Sequence, residues 1–308
     1  MLTLLVLRAT VCYFINLNKY KGVKIMKLPI KITDLKNKVA VVTGAGGVIC
    51  SELAKALAAS GAKVALLDLT LEKAEANAAA IVAEGGVAKG YCANVLDKKS
   101  LAACHESVLN DLGKCDILIN GAGGNNPKAQ TDKEYYEEGD IDADTKSFFD
   151  LDEKGVEFVF NLNFLGTLLP TQEFAKDMLG RKGCNVINIS SMNAFTPLTK
   201  IPAYSGAKAA VSNFTQWLAV HFSKTGIRVN AIAPGFFSTA QNKSLLWNAD
   251  GTPTARTGKI LAATPMGRFG EVEELIGATL FLASDKAAGF ITGVVLPIDG
   301  GFSSYSGV

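Results

Sequence analysis

Residues 38–47 read Lys38-Val39-Ala40-Val41-Val42-Thr43-Gly44-Ala45-Gly46-Gly47, a β-branched apolar run that stops at a cluster of glycines. Small and apolar residues then alternate from Ser51 to Ala59. This pattern predicts a buried strand, a glycine turn and a helix. Such a turn directs free backbone N–H groups and the N-terminus of a helix at a phosphate group. We therefore predict a nucleotide-binding turn at this position.

A second strand is predicted from Ala62 to Leu67 and ends in Asp68. An acidic side chain about 20 residues after the glycines contacts the adenosine ribose of a dinucleotide. Strands and helices continue to alternate, which predicts a single α/β domain with a Rossmann-like, doubly wound parallel sheet of about seven strands and helices on both faces. The predicted helices are 71–84, 98–112, 155–179, 204–224 and 272–283, and the further strands are 88–92, 116–120, 185–190, 228–233 and 294–297.

Tyr204 and Lys208 form a Tyr-x-x-x-Lys pair on a predicted helix, and Ser191 lies upstream of them. A helix places positions i and i+4 on one face, so the phenol and the ammonium point into the same volume. A cation ~4 Å away at an effective dielectric of ~20 contributes roughly 4 kcal/mol, which lowers a tyrosine pKa by about three units. We predict that Tyr204 exchanges a proton with a substrate hydroxyl or carbonyl group near neutral pH.

Several motifs in one order resemble the short-chain dehydrogenase/reductases, and the resemblance runs from about Lys36 to the C-terminus. Besides the glycine turn and the Tyr-x-x-x-Lys pair, they are Asn120-Gly121-Ala122-Gly123, Asn163-Phe164-Leu165-Gly166-Thr167 and Pro234-Gly235-Phe236-Phe237-Ser238-Thr239. The resemblance implies an NAD-dependent oxidoreductase that forms a homodimer or homotetramer. It implies a catalytic tetrad of Asn163, Ser191, Tyr204 and Lys208. The implied NAD-binding residues are Thr43, Gly44, Gly46, Gly47, Val48, Ile49, Asp68, Asn94, Val95, Asn120, Gly121, Ala122, Gly123, Tyr204, Lys208, Pro234, Gly235, Phe237 and Thr239.

Four positions depart from the pattern of that family. Val48 and Cys50 stand where the cofactor loop usually continues with glycines, Asn94 stands where an aspartate is common, and Gly121 replaces the second asparagine of Asn-Asn-Ala-Gly. Val48 is expected to change how closely the backbone approaches a pyrophosphate. These departures leave one non-enzyme alternative open, a catalytically silent dinucleotide-binding module, against which the intact tetrad argues.

NAD is predicted to be preferred to NADP. Asp68 can accept hydrogen bonds from both ribose hydroxyls and would repel a 2′-phosphate. Lys73 is the nearby cation that could weaken this preference.

The predicted substrate is a hexonate, and the leading choice is D-mannonate, oxidised to D-fructuronate. A polyhydroxy acid requires many neutral polar groups and one cation for its carboxylate. Residues 190–200 and 299–308 also resemble D-mannonate oxidoreductases of the short-chain type. A gluconate-type hexonate dehydrogenase and a 3-oxoacyl thioester reductase are the alternatives. The predicted substrate contacts are Asn126, Ser191, Asn193, Lys200, Gln241 and Arg268.

The connection between Gly123 and Asn163 is about forty residues long, which exceeds an ordinary connection between elements. It contains an acidic run, residues 134–144, which we interpret as a solvated charged loop.

The composition favours a globular enzyme without a polyanion-binding surface. The formal net charge is +2, 48% of the residues are hydrophobic, and the basic residues are spread along the chain. The six cysteines include no C-x-x-C motif, and His105 and His221 have no partner at metal-ligand spacing. We therefore predict reduced thiols, structural histidines and no metal site.

Residues 1–25 do not fit the alternating pattern of strands and helices. Their apolar stretch contains Arg8 and is too short to span a bilayer. We expect them to lie outside the fold, explained by an upstream start-codon assignment. Residues 26–308 are expected to form one catalytic domain in the cytoplasm.

Overall fold

The computed structural model describes residues 32–239 and 246–307. The strands are β1 (Val39–Thr43), β2 (Lys63–Asp68), β3 (Val87–Cys92), β4 (Ile117–Asn120), β5 (Cys184–Ile189), β6 (Ile227–Pro234) and β7 (Val295–Ile298). They form one parallel sheet in the order β3-β2-β1-β4-β5-β6-β7. The predicted seven-stranded, doubly wound parallel sheet is confirmed.

Helices pack on both faces of this sheet. They are α1 (Val48–Ala59), α2 (Leu71–Ala83), α3 (Lys98–Asp111), α4 (Glu153–Phe160), α5 (Gly166–Phe174), α6 (Pro202–His221), α7 (Ala255–Ala263), α8 (Glu274–Ala283) and the single turn α9 (Asp285–Ala288). Ala40 and Val42 of β1 belong to the core that contains residues of α1 and α8. Val39 and Val41 belong to the opposite core, with residues of α3 and α6. The apolar run is therefore buried on both faces, as expected for a central parallel strand.

The strand order reverses between β1 and β4, and the ends of these two strands are in direct contact. The Thr43 hydroxyl accepts hydrogen bonds from the backbone N–H groups of Gly121 (3.0 Å) and Ala122 (3.2 Å). Gly44 has a φ of 66°, and a Cβ at this position would lie 2.9 Å from the Ala122 Cα. Doubly wound sheets bind their ligands at such a switch point.

The predicted helix 155–179 is wrong as a continuous element. The chain forms α4, then a π-helical segment (Asn161–Leu165), then α5, and ends in a 3₁₀ turn (Ala175–Met178). Pro170 within α5 has no N–H to donate to the preceding turn, which weakens the regular ladder there. Helix α7 and the turn α9 were not predicted.

The histidine expectation requires one correction. His105 of α3 does have acidic partners, because its Nδ1 lies 2.9 Å from Glu173 Oε1 and its Nε2 lies 2.9 Å from Asp177 Oδ2. These carboxylates come from α5 and the turn after it, more than sixty residues away in sequence. Burial disfavours the charged imidazole, but the two hydrogen bonds outweigh it and raise the pKa of His105.

Several expectations concern features that the described residues test only in part. Residues 1–25 lie outside the described residues. In residues 32–239 and 246–307, no group of three or more His, Cys, Asp and Glu side chains is arranged to hold a metal ion. None of the helices within those ranges is long and apolar enough to cross a membrane. The cysteines in those ranges are free thiols, of which only Cys92 is exposed.

We predict that His105 contributes stability that depends on pH. Because its pKa is raised in the folded protein, the contribution is complete below pH about 6.5 and is lost as the pH rises through the folded pKa. At pH 6, His105→Gln should be less stable than the wild type by about 1–2 kcal/mol, as expected for hydrogen bonds to charged groups. This difference should shrink by pH 9, which urea unfolding at both pH values would measure. A difference that stays constant with pH would contradict the assignment.

Candidate active site

A cleft of about 580 Å³ lies at the carboxyl edge of the sheet, where the parallel strands end. Most of the residues predicted to bind the cofactor line it. They are Gly44, Gly46, Gly47, Val48, Ile49, Asp68, Asn94, Val95, Gly121, Ala122, Gly123, Gly235, Phe237 and Thr239. Motifs that are distant in sequence thus meet in one cavity.

At one end of the cleft, Asp68 is held against the glycine turn. Its Oδ2 accepts a hydrogen bond from the Gly46 N–H (2.9 Å), and its Oδ1 accepts one from the Thr70 N–H (3.0 Å). A Cβ on Gly46 would lie 2.7 Å from Asp68 Oδ2 and 2.9 Å from the Lys73 Cβ. Only glycine fits between these two side chains, so the turn presents backbone and one carboxylate to a ligand.

Two of the departures from the family pattern compensate each other in space. The Cys50 side chain packs against Gly121, and a Cβ at Gly121 would lie 2.1 Å from Cys50 Sγ. Thus Cys50 occupies a volume that is open only because residue 121 has no side chain. Burial raises the pKa of the Cys50 thiol to about 12, so it is a neutral packing group at physiological pH. The loss of a glycine at one position and its gain at the other preserve the packing of the turn.

Lys208 of α6 lies beneath the floor of the cleft. Its Nζ donates to the carbonyl of Ile189, the last residue of β5, at 2.8 Å. A Cβ on Gly123, which lines the cleft, would lie 3.2 Å from Lys208 Nζ and 2.7 Å from Asn163 Oδ1. Gly123 therefore separates the cleft from two members of the predicted tetrad by backbone alone.

Asn163 is fully buried within the π-helical segment. Its Nδ2 donates to the carbonyls of Val159 and Gly124, both at 2.7 Å, and its Oδ1 accepts from the Gly124 N–H at 3.3 Å. The side chain thus fixes the segment that follows β4. π-Helical turns occur frequently at functional sites, where they re-aim a side chain.

The tyrosine and lysine lie close together, but the electrostatic effect differs from the prediction. The Lys208 Nζ is 5.6 Å from the centre of the Tyr204 ring. Burial raises the pKa of Tyr204, and a hydrogen bond with the Ser191 side chain acts in the opposite direction. Burial lowers the pKa of Lys208 to about 8. The prediction that the lysine depresses the phenol pKa is therefore wrong for this geometry, because the ammonium faces the Ile189 carbonyl and burial dominates.

A few predicted cofactor residues act behind the cleft. Asn120 is 1% exposed, and its Nδ2 donates to Thr171 Oγ1 (2.8 Å) and Asn188 Oδ1 (2.9 Å). Thr43 acts through its bonds to the chain after β4, and Pro234 ends β6. These residues shape the edge of the sheet and do not line the cavity.

The cleft also contains residues that were not predicted as cofactor contacts. They are Cys50, Leu69, Lys73, Ala93, Leu162 and Phe236. Each one is adjacent to a predicted residue or had been noted only for its type. They could have been predicted from their position, because residues next to a predicted contact often line the same cavity.

A second cavity of about 660 Å³ lies between the long connection and α7. Among the predicted substrate residues that the structure describes, Lys200 lines it. Its lining residues are Gln130, Thr131, Asp132, Glu134, Leu198, Thr199, Lys200, Ile201, Phe236, Ala255, Arg256, Lys259, Ile260, Ala263 and Phe302. Phe236 also lines the cofactor cleft, so the two cavities share a wall.

The other predicted substrate residues have different surroundings. Arg268 forms a bidentate ion pair with Glu274, with both hydrogen bonds at 2.7 Å. Its guanidinium group is therefore bound within the protein. Asn126 accepts the Lys128 N–H (2.9 Å) as a local cap and lines neither cavity. Gln241 lies outside the described residues.

Asn193 is the remaining predicted contact. It is 4% exposed, lines neither large cavity, and its Oδ1 has no hydrogen-bond partner among the described residues. Its backbone N–H donates to the Ser191 Oγ at 3.2 Å. The structure therefore connects Asn193 to Ser191 through its backbone.

The interpretation of the acidic run as a solvated loop is wrong at two positions. Asp140 is 4% exposed and accepts a hydrogen bond from Lys133 Nζ at 2.8 Å. Glu134 forms an ion pair with Lys259 of α7 at 2.7 Å. An ion pair between residues 125 positions apart carries no sequence signal.

The family model of the short chain dehydrogenase matches residues 38–249. This chain belongs to the short chain dehydrogenase family. An uncharacterized oxidoreductase of Haemophilus influenzae is 63% identical over 275 residues, covering 89% of this chain and 96% of the relative. A solved Haemophilus structure, provisionally named a D-mannonate oxidoreductase and containing bound NAD, is 62% identical with a TM-score of 0.87, covering 90% of this chain and 99% of that chain. The predicted oxidoreductase class is confirmed.

More distant members of the family differ in their substrates. A 3-oxoacyl-[acyl-carrier-protein] reductase of Synechocystis is 34% identical, covering 88% of this chain and 98% of the relative. A 5-keto-D-gluconate 5-reductase of Escherichia coli is 32% identical, covering 87% of this chain and 96% of the relative. Family membership alone therefore fixes the reaction class and leaves the substrate to the site.

We predict that Gly121 and Cys50 are energetically coupled. Gly121→Ala should destabilise the protein by about 1–3 kcal/mol, because the added methyl group overlaps the Cys50 sulfur. Cys50→Ala removes that sulfur, so the double variant should lose less than the sum of the two single losses, by at least about 0.5 kcal/mol. Urea unfolding of the four proteins measures this.

Gly124→Ala serves as a matched control, because a Cβ there would meet only Leu162 Cδ2 at an ordinary 3.6 Å. Its effect should add to that of Cys50→Ala. Strict additivity for Gly121 as well would show that the two departures do not compensate.

Proposed function

We propose that this chain is an NAD-dependent oxidoreductase of sugar acids that converts D-mannonate and NAD⁺ to D-fructuronate, NADH and a proton. The observation that carries the proposal is the convergence of a glycine-lined cleft with the Asn163, Ser191, Tyr204 and Lys208 side chains at one edge of the sheet.

The residues of the cleft suit a dinucleotide. Gly46 leaves no room for a side chain beside Asp68, so backbone N–H groups and the start of α1 are open to a pyrophosphate. Asp68 is placed to accept the hydroxyls of an adenosine ribose. NAD bound there supplies the acceptor for the hydride that leaves the alcohol carbon. The bound NAD of the Haemophilus structure supports this choice of cofactor.

Each of the four side chains of the predicted tetrad has a different role in the proposed proton transfer. Ser191, whose side chain acts against the burial that raises the pKa of Tyr204, would position the reacting oxygen. Tyr204 would accept the hydroxyl proton as the phenolate during oxidation and donate a proton as the phenol during reduction. Lys208, with a pKa of about 8, remains largely protonated at pH 7 and keeps positive charge near the site. Asn163 holds the segment after β4 and would extend the proton path through a water molecule.

The substrate assignment rests on similarity together with the character of the second cavity. The Haemophilus structure that is 62% identical carries the provisional name of a D-mannonate oxidoreductase. The cavity that shares Phe236 with the cleft has a mixed lining, in which hydroxyl, amide and charged side chains, including Thr199, Lys200 and Arg256, stand beside apolar ones such as Leu198 and Ile260. The polar groups and the cations could bind the hydroxyls and the carboxylate of a polyhydroxy acid.

A gluconate-type hexonate is the second candidate, favoured by the Escherichia coli relative. Spectrophotometric measurement of NADH over a panel of hexonates, their keto acids and a 3-oxoacyl thioester distinguishes these candidate substrates. We expect the highest kcat/KM with D-mannonate. Preference for the thioester over every hexonate would overturn the proposal, and NAD binding without turnover on any of them would indicate a silent binding module. We further propose that the protein forms a homo-oligomer, which light scattering of the purified protein tests. We also propose that it is located in the cytoplasm.

We predict that turnover depends on the Tyr204 hydroxyl. Tyr204→Phe keeps the ring that packs against Ala203 and Ala207, but it removes the acid–base group. The kcat should fall by at least ~100-fold, the usual scale of lost general acid–base catalysis, while the Kd for NADH stays within a few fold. Tyr135→Phe, in the exposed part of the long connection, is the control and should be unaffected. Near wild-type turnover in Tyr204→Phe would exclude this role.

We predict that NAD is used at least ~10-fold more efficiently than NADP because of Asp68. The carboxylate repels a 2′-phosphate, and Lys73 lines the same part of the cleft. Asp68→Asn should therefore raise kcat/KM for NADP, with Lys73 then attracting the phosphate, and adding Lys73→Gln should reverse that gain. Equal efficiency with both cofactors in the wild type would contradict this explanation.

A further inference from the structure

The second cavity is lined by two cations, Arg256 and Lys259, that were not among the predicted substrate contacts. Its lining includes three cations, Lys200, Arg256 and Lys259, and two anions, Asp132 and Glu134. Charges that are already paired within the protein are poor candidates for recognising a ligand, so the pairing of each one decides what the cavity can bind.

One cation and one anion of the cavity neutralise each other. Lys259 Nζ donates to Glu134 Oε1 at 2.7 Å, which connects α7 to the long connection after β4. This bond, together with the charge of Lys200, holds the pKa of Glu134 below its usual value. Asp132 Oδ2 accepts the backbone N–H of Lys146 at 2.7 Å. The Glu134–Lys259 pair therefore acts as a clasp between the two walls of the cavity.

Arg256 is the cation of this cavity whose guanidinium group is available to bind a ligand. Within residues 32–239 and 246–307, it forms no ion pair and no side-chain hydrogen bond. Arg268, in contrast, forms a bidentate ion pair with Glu274. Arg256 is three residues before Lys259 on α7, so the clasp that positions Lys259 also holds Arg256 at the cavity.

Lys200 is held by its backbone in an unusual conformation. Its φ is 70°, a left-handed value that non-glycine residues rarely adopt, and its carbonyl accepts the Thr131 N–H at 2.9 Å. A left-handed conformation is strained for a non-glycine residue, and such residues concentrate at active sites and ligand-binding sites. The strained backbone places Lys200 on the wall opposite α7, directly before the helix that carries Tyr204.

We propose that Arg256 is the specificity-determining cation for the carboxylate of the sugar acid, that Lys200 assists it, and that the Glu134–Lys259 clasp keeps the two walls together around the bound acid. The proposal rests on the proposed function and specifies which end of the substrate enters the second cavity. The guanidinium fork suits a carboxylate because it can donate two parallel hydrogen bonds. After pairing of Glu134 with Lys259, the remaining positive charge suits a monocarboxylate.

The test uses Arg256→Gln, Arg256→Lys and the matched control Arg268→Gln in the full chain. Kinetics with D-mannonate and NAD give KM and kcat, and calorimetry on the NADH-saturated enzyme gives the Kd for D-mannonate, for D-gluconate and for the uncharged D-mannitol. In Arg256→Gln, KM and Kd for the two hexonates should rise by ~10- to 100-fold, the scale of one charge-assisted contact. The weak Kd for D-mannitol and the Kd for NADH should stay within about twofold.

Arg256→Lys should give intermediate values, since it keeps the charge and loses the fork. Arg268→Gln should leave the KM for D-mannonate unchanged, and Lys200→Gln should raise it by less than Arg256→Gln does. A KM in Arg256→Gln equal to that of the wild type, or an equal rise in Arg268→Gln, would overturn the assignment.

The outcomes also separate this proposal from the proposed function. If hexonates are turned over but Arg256→Gln has no effect on KM, the function stands and the role of Arg256 is refuted. If the wild type turns over no hexonate but binds them with a Kd that depends on Arg256, the carboxylate site stands and the reaction is refuted. If no hexonate binds at all, both are refuted.

Discussion

The contact between the ends of β1 and β4 is the constraint on which the site depends. One hydroxyl, that of Thr43, accepts two backbone N–H groups from the chain after β4, and Gly44 approaches Ala122 too closely for any side chain. The glycine turn and the segment leading to Gly123 therefore meet at the point where the strand order reverses. Because Gly123 in turn lies against Asn163 and Lys208, the glycine turn and these two side chains belong to one continuous packing arrangement.

Burial is the first cause of the pKa shifts of Tyr204 and Lys208. The Lys208 ammonium is taken out of water and satisfied by the Ile189 carbonyl, which lowers its pKa, while the same burial raises the pKa of Tyr204. The lysine thus anchors α6 to the end of β5 and brings positive charge near the phenol without contacting its oxygen. The hydrogen bond with Ser191 is the interaction that favours the phenolate in this geometry.

The fold and most of the cofactor cleft could be predicted because their signals are local or strictly ordered. The β-branched run before Gly44 and the i, i+4 spacing of Tyr204 and Lys208 are readable over a few residues. The π-helical segment around Asn163 was missed, because its bonds to Gly124 come from a chain segment nearly forty residues away. The substrate contacts stay predictions. The sequence could not show that Arg268 is paired with Glu274, because that pairing depends on neighbours in the folded chain.

By itself, the sequence determined the order of strands and helices, the glycine turn, and the spacing that puts Tyr204 and Lys208 on one helix face, because hydrophobic periodicity and helical spacing act within short segments. Only the tertiary structure decided which departures from the family pattern are harmless and which charges are available to a ligand. Cys50 is accommodated because Gly121 is beside it, and carboxylates distant in sequence raise the pKa of His105. Arg268 is paired, whereas Arg256 has no ion-pair partner among the described residues. Packing volume and charge pairing depend on neighbours in space, and these neighbours are set by the fold as a whole.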